Sequence, residues 1–269
     1  MGLTVEEAVQ AGGIRCWRAD GWRPGSRMVP AETAISFSYN RLGHAVMMAT
    51  PADLEDFATG FSLAEGIVET AAEIEELEVI HTPLGIELRM WIAPGRLGAL
   101  EMRRRRLAGP TGCGLCGLES LAEAVRSLPA VPQGRRLAPA DIAAAMASLA
   151  PAQRLHGATR AMHAAGFWQP GRGLLALRED VGRHNALDKL AGAMARDGLD
   201  AAAGVVAMTS RVSVELVQKA ARMGATVLAA VSAPTALALQ SAEAAGLTLI
   251  GVARDDGFEV FTQPQRLEG

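Results

Sequence analysis

Two cysteines three residues apart, Cys113 and Cys116, lie in the glycine-rich stretch Thr111-Gly-Cys-Gly-Leu-Cys-Gly117 and carry the most distinctive chemistry of the chain. Four chemistries use a Cys-x-x-Cys pair. Half of a zinc site needs two further ligands; Cys16, His44, His81, His156 and His163 are available, but no second closely spaced pair exists. A thioredoxin-type redox pair sits at a helix N-terminus near the start of a small domain, whereas this pair is mid-chain among Gly112, Gly114 and Gly117, a setting that reads as a mobile loop. A zinc deaminase signature needs Pro before the first Cys and a His-x-Glu; Gly112 stands in the Pro position, and His163-Ala164-Ala165 has no Glu. A sulfur carrier needs a reachable thiolate. The arginine run Arg103 to Arg106 would stabilise one, the glycines would let it swing between donor and acceptor, and the second thiol could resolve a persulfide. Taken alone, the arginine run reads better as a solvated face. By spacing alone the pair stays open among zinc, redox and sulfur transfer.

The rest of the composition narrows the setting. The chain has 269 residues, enough for one large or two small domains with a proper core. A formal net charge of −3 offers no global field for nucleic acid or membrane, and aromatics at 4% are too sparse for a base-stacking platform. Three cysteines fit a reducing compartment with thiols kept for chemistry. The acidic start Met1-Gly-Leu-Thr-Val-Glu-Glu7 does not read as a signal peptide, and no apolar run reaches membrane-spanning length. The expectation is a cytoplasmic protein.

The elements that must position such chemistry fall into two halves. Residues 1–30, rich in Gly, Arg and Pro, read as a poorly ordered arm. Thr33 to Tyr39 alternates as a strand, Ala45 to Ala49 is a second, and Thr50-Pro51 reads as the cap of a helix carrying Leu54, Phe57, Ala58 and Phe61 on one face. Glu75 to Ile80 and Ile86 to Ile92 read as strands, Glu119 to Leu128 and residues 139–149 as helices. Further on, the pattern becomes strand, helix, strand, helix, strand: Leu174 to Leu177 leading into the helix of Arg178 to Leu190, Gly204 to Thr209, Ser213 to Met223, Thr226 to Val231, Thr235 to Ala245 and Leu247 to Val252, with Phe258 to Thr262 as an edge strand. Such alternation predicts an α/β domain with parallel pairs. Glu215 and Lys219 are spaced as an i,i+4 pair. Ser210-Arg211 and Ser232 to Thr235 follow strands and precede helices, where peptide N–H groups favour phosphate. Arg254 follows a third strand and offers a planar fork, and Asp255 or Asp256 could accept from guanine, or simply form an exposed turn beside Gly257. His184, next to Arg183, could relay protons or touch ligand, with Asp188 a helical turn on to orient it; the same cluster could be a helix cap.

Several segments together resemble the formate dehydrogenase accessory sulfurtransferase (FdhD) family. They are Thr50-Pro-Ala-Asp-Leu54 with Gly60-Phe-Ser-Leu-Ala-Glu-Gly66, Cys113-Gly-Leu-Cys-Gly117, Glu179-Asp-Val-Gly-Arg-His-Asn-Ala-Leu-Asp-Lys189, Ser210-Arg-Val-Ser-Val-Glu-Leu-Val-Gln-Lys-Ala220, Val231-Ser-Ala-Pro-Thr235 and Gly251-Val-Ala-Arg254. The resemblance runs from about Glu32 to Thr262. It implies a sulfurtransferase that takes persulfide sulfur from a cysteine desulfurase and passes it to the molybdenum bis-molybdopterin guanine dinucleotide, for formate dehydrogenase. It implies the persulfide on Cys113, with Cys116 as the second family cysteine, and cofactor contacts on Val252, Ala253, Arg254, Asp255, Asp256 and Gly257, joined by Ser210, Arg211 and His184 from the reading above. The implied fold is three-layer α/β/α, cytidine-deaminase-like but without zinc. Its parts are an N-terminal arm 1–30, a smaller α+β region 31–137 carrying the cysteine loop, and a cofactor-binding region 138–269. Homodimers are implied; a structural metal, nucleic acid or membrane is not. The chain departs from the family at Val252, where Phe is common, and at Phe261, where Tyr is frequent. A cofactor escort with no sulfur chemistry is the main alternative, and a zinc or redox protein the next.

Overall fold

The computed structural model describes residues 8–96 and 128–268. Cys113, Cys116, Arg103 to Arg106 and nearly all of the helix expected over Glu119 to Leu128 lie outside the described residues.

Residues 9–30 correct the expectation of a poorly ordered arm. They form an antiparallel ribbon, β1 (Val9–Arg18) and β2 (Gly21–Pro30), paired without a break from Val9 opposite Pro30 to Arg18 opposite Gly21. Its root is apolar: Ala8 and Val9 pack with Ala52, Leu155 and Met162, and Met28 and Val181 close the cluster. Both ribbon faces beyond the root are largely exposed, which is why the sequence has Gly, Arg and Pro where a half-buried strand would alternate. At the tip, Trp17 and Trp22 meet edge-on at 5.5 Å.

A four-stranded sheet follows, in the order β4-β3-β6-β5, from β3 (Thr33–Tyr39), β4 (Leu42–Ala49), β5 (Ile74–Thr82) and β6 (Gly85–Ile92). Alternation in β3 and β6 sends Ile35, Phe37, Tyr39, Leu88 and Met90 to one face. There they meet Leu54, Phe57 and Phe61 of α1 (Leu54–Ala64). Burying each such side chain contributes about 1.5–3 kcal/mol. Thr50 is not the cap of α1. Asp53 precedes the helix in the left-handed conformation (φ 53°) and makes no side-chain cap bond, because Thr50 is bonded across to the other half of the molecule, as described below.

The second sheet has six strands in the order β12-β11-β10-β9-β7-β8. These are β7 (His163–Gln169), β8 (Gly173–Asp180), β9 (Val205–Met208), β10 (Val227–Ala230), β11 (Thr248–Arg254) and β12 (Gly257–Val260). β9, β10 and β11 run parallel. β7 is antiparallel to both β8 and β9, so β8 shares the direction of β9. One face is covered by α5 (Arg183–Arg196), α6 (Val214–Arg222) and α7 (Ala236–Ala245). The other is covered by α2 (Pro139–Ala147) and the short α3 (Leu149–Ala152); α4 (Arg154–Thr159) lies beside the ribbon. Covered on both sides, Val205–Met208 and Val227–Ala230 are buried throughout, the continuous apolar run expected of central parallel strands. The mixed α/β architecture expected from the alternation of elements is the one adopted.

The two sheets meet through α1 and α5, which cross at glycines. A Cβ on Gly60 would strike the carbonyl oxygen of Asp188 and lie 2.7 Å from the Gly192 nitrogen; one on Gly192 would strike the Asp56 carbonyl. Only glycine allows this approach. Beside it, Asp56 is held by Arg178 of β8 at 2.7 Å and Arg196 of α5 at 2.7 Å.

Candidate functional site

The shared direction of β8, β9, β10 and β11 places their carboxyl ends on one edge of the six-stranded sheet, where open α/β sheets bind ligands. That edge receives Arg183 and His184 after β8, Ser210 and Arg211 after β9, and Val252 to Gly257 from the β11–β12 hairpin. His163, at the start of antiparallel β7 and paired with Asp180, lies there too. The site residues expected from sequence, Cys113 and Cys116 apart, are thus gathered at one edge.

A buried junction underlies it. Asp180, ending β8, and Lys189, two turns into α5, form an ion pair at 2.7 Å with both side chains fully enclosed. Asp180 also accepts from the peptide N–H groups of Thr50 (3.0 Å) and Gly182 (2.8 Å) and from the Asn185 amide (2.9 Å). Lys189 donates to the Thr50 carbonyl at 2.9 Å, Val181 N–H to the Thr50 hydroxyl at 3.2 Å, and Asn185 to the Met48 carbonyl at 3.0 Å. The β4–α1 turn is therefore fastened to the β8–α5 turn by groups whose polar demands are met.

Above the junction, the amino ends of α5 and α6 face each other. His184 Nε2 lies 3.3 Å from Ser213 Oγ, and Ser213 donates to Glu215 Oε2 at 2.6 Å. Because the serine proton goes to the carboxylate, the imidazole must donate from Nε2, leaving Nδ1 as an acceptor. Burial first, then the charges of Arg183 and Lys219, push the His184 pKa down to about 4, against the pull of Glu215. Glu215 sits below the usual carboxylate range: burial opposes this, but the Ser213 hydroxyl and the charges of His184 and Arg183 outweigh it. His163 is likewise lowered by burial, Arg183 and His156.

Two sequence expectations are corrected here. Glu215 does not pair with Lys219, which reaches inward to Asp188 at 2.7 and 2.9 Å and to Glu65 at 3.7 Å. Asp188 therefore does not orient His184; Ser213 and Glu215 do. Burial raises the Asp188 pKa to about 6 against the pull of Lys219. For Lys219, burial lowers the pKa, but Asp188 and Glu65 outweigh it and raise the value.

Arg183 stands apart from this satisfied network. Its Nε is enclosed with no hydrogen-bond partner. A buried donor left unmatched costs about 1–3 kcal/mol.

At the opposite flank of the edge, Arg254 pairs with Gly257 across the hairpin, so Asp255 and Asp256 form its exposed two-residue turn. Val252 adopts φ 52°, a left-handed conformation that costs a β-branched residue strain, at a bulge between Gly251 and Arg254. Ser210 is buried and donates to the Arg211 carbonyl at 2.9 Å, while Arg211 is exposed. A separate cavity of about 540 Å³ lies away from this edge, lined by Leu63, Val68, Met194, Leu199, Arg222 and Met223 among others. It holds none of the expected residues. Among the described residues no group of three or more His, Cys, Asp or Glu is arranged to hold a metal, and no helix is long and apolar enough to cross a membrane.

Residues 30–268 match the FdhD/NarQ family. The sulfur carrier protein FdhD of Agrobacterium fabrum is 52% identical over 244 residues, 90% of each chain. That of Brucella abortus is 54% identical over 251 residues, 93% of each. A crystal structure from Desulfotalea psychrophila, provisionally assigned as a formate dehydrogenase accessory protein, is similar with a TM-score of 0.75 and 25% identity. The match covers 97% of this chain and 100% of that one.

Proposed function

The chain belongs to the FdhD/NarQ family, and from that premise we propose that it is a sulfurtransferase of molybdenum-cofactor maturation. It takes sulfur from a cysteine desulfurase and delivers it to the molybdenum bis-molybdopterin guanine dinucleotide destined for formate dehydrogenase. The Cys113 thiolate attacks the outer sulfur of the desulfurase persulfide; that S–S bond breaks, the desulfurase thiolate leaves, and Cys113 carries the persulfide. Cys116 then attacks the inner sulfur, a Cys113–Cys116 disulfide forms, and hydrosulfide is released toward the substrate. The two electrons that reduce the sulfur come from the two thiols, and a dithiol reductant restores the pair.

The observation that carries the substrate half of this reading is the sheet edge itself. A chain of net charge −3 concentrates Arg183, Arg211 and Arg254 there with the amino ends of α5, α6 and α7, a setting that suits pyrophosphate. Contacts to the substrate fall on His184, Ser210, Arg211 and the hairpin Val252, Ala253, Arg254, Asp255, Asp256 and Gly257. The cytidine-deaminase-like classification of the six-stranded layer, the domain boundaries near residues 30 and 137, a homodimer and a cytoplasmic location belong to the same reading.

Incubation with a cysteine desulfurase and cysteine is expected to add one sulfur to the wild type and none to Cys113→Ala, by intact-protein mass spectrometry. Equal labelling of both proteins sinks the assignment. A cofactor escort without sulfur chemistry predicts instead that Cys113→Ala activates formate dehydrogenase fully. GDP is expected to bind the chain and to bind more weakly to Arg254→Ala in calorimetry.

A further inference from the structure

We propose that the β1–β2 ribbon is a docking arm for the protein that receives the loaded cofactor, and that this recipient offers an apolar seat beside a carboxylate-rich face. The inference rests on the reading of the sheet edge as the substrate face and of formate dehydrogenase as the recipient.

The unbroken register divides the ribbon into two sides. Val9, Arg15 and Trp17 of β1 share one side with Met28, Pro24 and Trp22 of β2. At the root this side is covered, because Val9 and Met28 pack with Leu155 and Met162. At the tip the same side is open: Trp17 is 60% and Trp22 61% exposed, and the two rings adjoin at 5.5 Å. The apolar seam therefore begins against the body and runs on past it. The other side carries Arg18, Arg23 and Arg27. The ribbon as a whole holds four arginines against one aspartate, in a chain of net charge −3. That aspartate, Asp20, pairs with Arg23. Tryptophan and arginine are the side chains that most often dominate binding at protein interfaces, and the surplus of positive charge selects an acidic partner.

The geometry favours a protein over a nucleic acid. Trp17 meets Trp22 at an interplanar angle of 60°, and Arg15 lies over the Trp22 ring at 5.2 Å, so the rings do not form an open platform for stacked bases. The root places that protein. Met162 precedes β7 and Val181 follows β8, so both stand at the sheet edge, and both belong to the root cluster. From Val9 the paired strand carries Trp17 about 27 Å outward at a rise of about 3.4 Å per residue. A protein held at the tip and reaching back to the edge lies over the bound cofactor, where hand-over takes place. A cysteine desulfurase has no such need of the edge, since its sulfur goes to Cys113. The family match begins at residue 30, so the arm stands outside the matched segment, as an element fitted to one recipient would.

Calorimetry and gel filtration on the full chain test the arm, with formate dehydrogenase produced without its cofactor as the probe. The wild type is expected to bind it, more weakly as salt is raised. Trp17→Ser with Trp22→Ser is expected to weaken binding at least tenfold, and Trp17→Phe with Trp22→Phe to keep part of the affinity. Arg18→Gln with Arg23→Gln and Arg27→Gln is expected to flatten the salt dependence. All three variants should load persulfide on Cys113 and bind GDP as the wild type does, which shows that they are folded. Equal binding by the wild type and the serine variant overturns the arm, as does a salt dependence that the arginine variant leaves unchanged. Three results name another occupant and overturn it too: slower desulfurase-driven loading in the variants, a dimer of this chain that the variants dissociate, or wild-type binding to phosphatidylglycerol vesicles or single-stranded RNA that the serine variant loses. Loading of the wild type is read independently. Dehydrogenase binding without loading defeats the sulfur-transfer reading and leaves the arm standing; loading without dehydrogenase binding overturns the arm alone.

Discussion

Replacing Lys189 with Met tests the buried junction that fastens the two sheets. The substitution keeps the volume of the side-chain stem and removes only the ammonium. Taking one partner from a buried ion pair costs about 3–5 kcal/mol, because the other charge is stranded. Asp180 would keep three donors, from Thr50, Gly182 and Asn185, which places the cost at the lower end, about 3 kcal/mol. Part of that is the Thr50 carbonyl, which loses its only charged donor. For a chain of this size each kcal/mol moves the midpoint of thermal unfolding by about 2–4 °C, so the fall should be roughly 6–12 °C. Urea unfolding followed by circular dichroism supplies the free energy. The double variant Asp180→Asn with Lys189→Met should recover part of the loss, since no charge is then left unpaired although the new amide nitrogen faces one of the N–H groups that the two carboxylate oxygens accepted from. A loss below about 1 kcal/mol for Lys189→Met, or a double variant less stable than Lys189→Met, would refute the reasoning.

Three further expectations concern the site and its supports. His184 has a pKa of about 4 in the folded chain against an ordinary 6.5; depressed on folding, it contributes stability that is present above pH 6.5 and lost as the pH falls toward 4. The loss should be about 2 kcal/mol by pH 5, and His184→Gln should flatten the difference between urea midpoints at pH 7 and pH 5. Gly60→Ala puts a methyl into the Asp188 carbonyl. It should cost about 3 kcal/mol in urea unfolding, and Gly192→Ala should do the same from the facing helix. Val252→Gly relieves the left-handed strain at φ 52° and should raise stability by about 1 kcal/mol in the same assay while weakening GDP binding.

Local pattern carried the elements and failed on their partners. The strand of β3 spans the residues read from alternation, and the apolar stripe Leu54, Phe57, Ala58 and Phe61 is buried as a helix face. The β–α alternation after residue 173 gave the parallel strands, and with them the edge that collects His184, Ser210, Arg211 and the β11–β12 hairpin. What escaped was set by tertiary contact. Thr50 has the residue type and position of a helix cap, but its three polar groups are committed to Asp180, Val181 and Lys189, about 130 residues on. Lys219 has ideal spacing to Glu215, yet a buried carboxylate on another helix competes better than a solvated one on its own. The ribbon was hidden because strands with two wet faces need no apolar alternation. Arg183 was visible as one polar residue in a crowded helix start; that its Nε has no partner is a fact of three-dimensional packing.

The ribbon of residues 9–30 also has a consequence for how the chain can change. Val9 and Pro30 are paired neighbours, so the backbone leaves and re-enters the body at one point. Cross-strand pairs can be added or deleted above that root, two residues at a time, without displacing anything below it. Length and tip chemistry are in this sense a free parameter of the molecule, adjustable by short insertions and deletions. The sheet edge beside its root, where each turn is bonded to another, has no such freedom.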